Sequence, residues 1–275
     1  MKFKDITIVS DMDGTLLTEE KTISSGNIDA IRYFCENGRT FTLASGRIYK
    51  KMVAFSQMIH LDLPIISHNG AVIYDIKNDK VVYKAFLSGN YKDVIEEIYN
   101  DNPYIGIEAY TEHDVRYIKH NQYIDKHMKD EGFLEIHDSN GIRWYNFKEL
   151  DEEWCKILMA NSPKDSGFLE RTIPQKYPEF QFVRGEAHYF EMLPKNVSKG
   201  IAVRELMKII DKPLEKLYTI GDNMNDCQML KAAKVGIAVQ NASDGLKAAA
   251  DVILPYTNEE HAIAKLIDMI ETNRI

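Results

Sequence analysis

The chain holds only three cysteines in 275 residues, Cys35, Cys155 and Cys227, far apart and with no CxxC pair. An odd, scattered set supplies neither a disulfide framework nor a zinc knuckle, so a reducing compartment, the cytoplasm, is the expected location. The eight histidines form no HxxxH or HExxH spacing, none is assigned to a metal, and His120 and His127 are expected to face solvent. Basic residues are outnumbered, 34 against 42 acidic, for a net charge of -8. With a pI near 5.5 and no long basic run, the chain is not expected to bind nucleic acid by neutralising phosphates. No apolar run approaches the roughly 20 residues of a membrane span. Asp5 and Asp11 also interrupt the N-terminal stretch before a signal-peptide core could form, so no membrane partner is expected. Internal repeats and low-complexity segments are absent, as is any signal for an oligomeric state.

What is present is the material of a folded protein. Hydrophobic residues make up 44% of the chain, and its length suits one large domain or two modest ones. The run "ITIVS" (6–10) is short, β-branched and apolar throughout, as expected of a central parallel strand covered on both faces. Ile28, Ile31, Phe34 and Cys35 then recur at helical spacing, with a stop expected near Asn37-Gly38. Strand "TFTLA" (40–44), a helix over about 48–60 and strand "LPIIS" (63–67) continue the alternation of an open parallel α/β sheet.

From Asn69 the rhythm changes. "AVIYDIKNDKVVYKAF" alternates apolar and polar residues around Lys77-Asn78-Asp79, which predicts an antiparallel hairpin. Residues 86–192 are tyrosine-rich and mixed, with strands expected at "YIGIEAY", "VRYIK", "CKILMA", "FQFVR" and "HYFEM", and so read as an inserted α+β domain. Within it "EAYTEHDVR" (108–116) reads as a solvated hairpin or a substrate contact, and Arg184, Glu186, His188 and Glu191 are candidate substrate contacts. After Pro194 the βα alternation returns, so 1–85 and 193–275 are expected to form one Rossmann-like α/β core around the insertion.

The chemistry gathers at strand ends. In "VSDMDGTLL", Asp11 and Asp13 stand two positions apart and can address one site at the carboxyl end of the first strand, the edge where open α/β sheets bind ligands. Gly14 lets the backbone turn sharply there, and oxygen-only ligands of this kind suit Mg²⁺. Taken alone, Asp11-x-Asp13 could equally be a turn or the metal-binding DxD of a nucleotide-sugar transferase. "SGR" (45–47) and "GDNMND" (221–226) end two other predicted strands, and in "NVSKG" Ser198 can cap a helix that Lys199 opens. Carboxylates with a divalent ion, hydroxyl and backbone donors, and a lysine point to a phosphoryl group.

With "DMDGT", "SGR", "SKG" and "GDNMND" in this order, and an insertion between the second and third, the chain resembles the haloacid dehalogenase superfamily of phosphohydrolases. The resemblance spans the whole length and is to the Cof-type group with a type IIB cap. It implies a Mg²⁺-dependent phosphatase with a mobile cap that closes over a small phosphomonoester, such as a sugar phosphate. It further implies Asp11 as the nucleophile that forms an aspartyl-phosphate, and Asp13 as general acid/base whose backbone carbonyl also ligates the metal. Asp222 would be the remaining carboxylate on the ion, with Asp226 orienting the metal shell and Thr15 supporting the loop around Asp13. Ser45, Gly46, the Met12 backbone N–H, Lys199 and Asn225 would hold phosphoryl oxygens, while Arg47 is either a substrate ligand or a salt-bridge partner. The same resemblance leaves two alternatives, a phosphosugar mutase and a phosphometabolite-binding regulator without turnover. One departure is His261-Ala262, at a place where many relatives have Gly-Val.

Overall fold

The structure, a computed structural model, describes residues 5–130 and 143–275. They divide into two compact units, Met1–Tyr83 with Ser198–Ile275, and Lys84–Val197.

The first unit starts on β1 (Thr7–Ser10), buried at all four positions because strands run beside it on both edges and helices cover its faces. α1 (Ser25–Glu36) buries Ile31 and Phe34 and stops at Gly38, whose N–H donates to the Cys35 carbonyl. β2 (Thr40–Leu43) pairs in parallel with β1, Thr40 beside Thr7 and Leu43 beside Ser10. α2 (Tyr49–Met58) leads to β3 (Pro64–Ser67), which touches the end of β2 through a single parallel bridge, Ala44 to Ile66. The expected strand is there, but its ladder is antiparallel to β4 (Val72–Asp75), and with β5 (Lys80–Lys84) it forms a separate three-stranded sheet. Four residues separate β3 from β4, far short of the dozen or more that a parallel crossover needs, so the chain must fold straight back.

The second unit comprises α3 (Tyr91–Asp101), β6 (Gly106–Tyr110), β7 (Val115–Lys119), α4 (Gln122–Asp130), β8 (Lys156–Ala160), α5 (Pro163–Lys176), β9 (Gln181–Glu186) and β10 (Tyr189–Leu193). Its sheet is antiparallel in the order β7-β6-β8-β10-β9. Val94 and Ile98 of α3 and Leu169 and Ile173 of α5 pack with Ile107, Ile157, Met159 and Phe190. Ile124 and Met128 of α4 pack instead with Tyr110, Tyr117, Leu158 and Tyr189, which alternate with the first set and so line the other face. That second face also buries charge. Lys156 pairs with Glu191 at 2.9 Å, His127 pairs with Glu108 at 3.0 Å, and the Tyr110 hydroxyl donates to Glu108 at 2.6 Å. Two expectations are thereby corrected: His127 is buried rather than solvent-facing, and only the turn of "EAYTEHDVR" is solvated, since Glu108 and Tyr110 lie inside. A charge buried this deeply needs a partner, and sheet register supplies it for Lys156 and Glu191 while the packing of α4 on the sheet supplies it for Glu108 and His127.

The chain returns to the first unit with α6 (Lys199–Ile209), β11 (Leu217–Gly221), α7 (Cys227–Ala232), β12 (Val235–Ala238), α8 (Asp244–Lys247), β13 (Val252–Ile253) and α9 (Ala262–Glu271). The completed sheet is parallel throughout in the order β13-β12-β11-β1-β2. Ser10 stands beside both Ile220 and Leu43, so the residues that follow β1, β2 and β11 emerge side by side on one edge.

Candidate active site

Strand register builds the site. The Asp11 N–H donates to the Ile220 carbonyl at 3.0 Å and the Ala44 N–H to Ser10 at 2.8 Å, so the ladder still holds where the polar residues begin. The Met12 carbonyl then accepts N–H groups from Thr15, Leu16 and Leu17, winding the chain into a tight loop. Gly14 sits in that loop at φ +75, and a Cβ there would lie 2.5 Å from Asp222 Oδ2. Both the left-handed backbone and the approach of the second aspartate require glycine.

Lys199, at the start of α6, is 1% exposed and donates to Asp11 Oδ1 at 2.5 Å and to Asp226 Oδ1 at 2.6 Å. The other oxygen of Asp226 accepts the Asp222 and Asn223 backbone N–H groups at 3.0 and 3.2 Å. Thr15 Oγ1 donates to Asp222 Oδ1 at 3.4 Å, and carboxylate oxygens of Asp11, Asp222 and Asp226 all lie within 4.8 Å of one another. One lysine faces three carboxylates. Burial, with repulsion from Asp226, pushes Asp11 up from 3.8 to about 7 despite the lysine, and burial with repulsion from Asp11 pushes Asp222 well above the usual range. Burial alone would lower Lys199, yet Asp11 and Asp226 together raise it, so it stays charged. An excess of buried negative charge on hard oxygen donors is what a divalent cation neutralises, so the residues fit the Mg²⁺ that the resemblance implies. Both oxygens of Asp226 are engaged, by Lys199 and by two backbone N–H groups, so Asp222 and the Asp11 oxygen that Lys199 does not take are the ones that could hold such an ion.

Asp13 turns the other way. Arg47 grips it as a fork, Nε to Oδ2 at 2.6 Å and Nη2 to Oδ1 at 2.8 Å, and Lys21 Nζ reaches Oδ1 at 2.7 Å. Burial alone would raise this carboxyl, but the two cations hold it well below the usual carboxylate range. Arg47 is 8% exposed and thus a salt-bridge partner here. The Ser45 hydroxyl accepts the Arg47 N–H at 3.2 Å, just before α2, whose N-cap is Ile48. Asn225 Nδ2 donates to Asn69 Oδ1 at 3.1 Å, while the Asn69 amide lies against Gly46.

A profile of haloacid dehalogenase-like hydrolases matches residues 8–267 of this chain. The chain belongs to the haloacid dehalogenase-like hydrolases. The phosphatase YwpJ of Bacillus subtilis is 28% identical over 279 residues, covering 94% of this chain and 98% of YwpJ. A haloacid dehalogenase-like hydrolase from Bacteroides thetaiotaomicron shares the fold at TM-score 0.80 and 27% identity, over 97% of this chain and 100% of that one. A structure described as a subclass IIB sugar phosphatase superposes at TM-score 0.83 and 23% identity, over 98% and 100%. Within the family this is a Cof-type phosphatase, an enzyme with an α/β core and an inserted α+β cap.

The remaining candidates of this haloacid dehalogenase-like hydrolase lie in its second unit, on the β9–β10 hairpin. Arg184 donates to the carbonyls of Ala187 and Pro163 and pairs with Glu170, which ties the hairpin to α5. His188 Nδ1 is 3.1 Å from the Asn161 carbonyl and the ring stacks on Tyr123. Glu186 is exposed, and Glu191 is buried against Lys156. Sequence reasoning missed two residues of the phosphatase core, Lys21 and Asn69. The Asn-Gly following "IISH" could have flagged Asn69, which is 2% exposed at φ +53, but nothing in "TEEK" singles out Lys21. Among the described residues, no helix is long and apolar enough to cross a membrane.

Proposed function

We propose that this phosphatase hydrolyses a small phosphomonoester, a sugar phosphate or similar metabolite, by way of a phosphoryl group carried on Asp11. The observation that supports this most directly is the buried ammonium of Lys199 on Asp11 Oδ1, with Asp222 beside it. A carboxylate repels an anionic phosphoryl group, and the lysine offsets that repulsion where burial makes charge most effective. Asp11 attacks phosphorus and the bond to the leaving oxygen breaks; Asp13, ionised beside Arg47 and Lys21, takes up a proton as the anionic phosphoryl group enters and gives it to that oxygen. Asp13 then takes a proton from water as the water oxygen attacks phosphorus and releases Asp11. The Ser45 hydroxyl, Gly46 and Met12 N–H groups, Lys199 and Asn225 bind the phosphoryl oxygens. Asp226 orients Lys199 and the backbone that carries Asp222. Mg²⁺, held by Asp11, Asp222 and the Asp13 carbonyl, would supply further positive charge for an anion meeting an anion.

The test is phosphate release from a panel of small phosphomonoesters with Mg²⁺ or EDTA. Wild type releases phosphate only with the metal, and Asp11→Asn loses more than about 10³-fold in turnover. Wild-type turnover in the variant overturns the nucleophile, and hexose-phosphate isomerisation without net release overturns the hydrolysis.

A further inference from the structure

Residues 17–23 form a small flap. Leu17 and Ile23 bridge antiparallel, the Thr18 N–H donates to the Thr22 carbonyl, and the Lys21 N–H donates back to Thr18, both at 2.9 Å. Lys21 occupies the left-handed position of this turn, at φ +57. Such a place is ordinarily given to glycine or asparagine, because a Cβ crowds the following carbonyl there. A lysine retained in strained backbone calls for something its side chain does, and its ammonium reaches Asp13 Oδ1, the oxygen that also takes Arg47 Nη2. The guanidinium fork sets the plane of the carboxyl, and the lysine fixes it from the flap side. Both cations bind the carboxylate, the form that Asp13 has once its proton has gone to the leaving group.

We propose that Lys21 is a positioning residue for Asp13, holding the carboxylate where it accepts the proton of the water that hydrolyses the phosphoryl group on Asp11. This rests on the reading of Asp13 given above. The step balances as follows: the water oxygen bonds to phosphorus, the phosphorus bond to Asp11 breaks, and the water proton moves to Asp13. With its ammonium on Asp13 Oδ1, Lys21 acts through Asp13, and so on the second half of turnover, leaving the first alone for a substrate whose departing oxygen needs no proton.

4-Nitrophenyl phosphate is such a substrate, and its product is visible. In Lys21→Met, kcat falls about 10- to 100-fold and KM falls with it, while kcat/KM stays within about threefold of wild type. Rapid mixing shows a burst of nitrophenol approaching one per enzyme, the mark of an accumulating phosphoenzyme. Lys21→Gly gives the same kinetics with an unchanged or higher melting temperature, because strain is released, and Lys21→Arg recovers most of kcat. Unchanged kcat in Lys21→Met, or a lower kcat/KM without a burst, overturns the proposal. Asp13→Asn separates the two premises: a burst there with none in Lys21→Met refutes the role of Lys21, whereas wild-type kcat in Asp13→Asn removes the role of Asp13 itself.

Discussion

His261 enters α9 at φ +58, ψ +46, a left-handed conformation that costs a residue with a Cβ about 1–2 kcal/mol. The ring compensates in part, its Nδ1 2.8 Å from Ser24 Oγ and its face over Gly26. An exposed hydrogen bond of this sort contributes only about 0.5 kcal/mol, so the strain wins. His261→Gly is therefore expected to stabilise the protein by about 0.5–1 kcal/mol, seen as a melting temperature higher by about 2 °C. A lower one would show that the Ser24 contact outweighs the backbone. At this scale the candidate site was half legible. Asp11, Asp222 and Asp226 follow strands whose edge could be foreseen, Lys199 opens a helix whose Ser198 cap was legible, and the structure brings all four together. Lys21 was invisible, because its contact depends on the φ of one turn residue, and no residue type announces a lysine there. Arg47 was visible but ambiguous, since a guanidinium serves a substrate phosphate and an aspartate equally well.

At the scale of elements, α6 carries Lys199, and what places α6 is its contact with α7. A Cβ on Gly200 would run into the backbone carbonyl of Gln228. Glycine to alanine inside an unconstrained helix gains about 0.5–1 kcal/mol, so the sign of Gly200→Ala is diagnostic. Because backbone rather than a flexible side chain stands in the way, the substitution is expected to cost about 1–3 kcal/mol in chemical denaturation. It should also lower phosphatase turnover, since Lys199 is the adjacent residue and moves with the helix. A neutral or stabilising result would mean that α6 can shift away without loss. Elements such as β1, β2 and β11 were legible from their short β-branched runs, which only a doubly covered strand tolerates. The pairing of β3 was not, because periodicity tells strand from helix but not which neighbour a strand prefers. The pairs Lys156–Glu191 and Glu108–His127 were hidden for a related reason: each joins residues that meet only through sheet register and helix packing, so each partner on its own reads as a surface charge.

For the whole molecule, the surplus of buried carboxylates sets a pH dependence. Asp11 is raised to about 7 and Asp222 is raised as well, so the folded state holds their protons more tightly than the unfolded chain. Their contribution to stability is fully present below the unfolded value, 3.8, and is lost as pH rises through about 7. Asp13 has the opposite sign. Its depressed value contributes above 3.8 and is lost only in stronger acid, so it is constant over the neutral range. In EDTA the melting temperature should therefore fall between about pH 5 and pH 8. A cation bound by Asp11 and Asp222 reverses this, because it favours the ionised carboxylates and must displace protons from them in acid. The rise in melting temperature on adding Mg²⁺ should then be larger at about pH 8 than at about pH 5, and calorimetry in buffers of different ionisation enthalpy should detect proton release near pH 6. A Mg²⁺ effect independent of pH, with no protons released, would place the ion away from Asp11 and Asp222 and leave Lys199 as the sole counter-charge to the nucleophile.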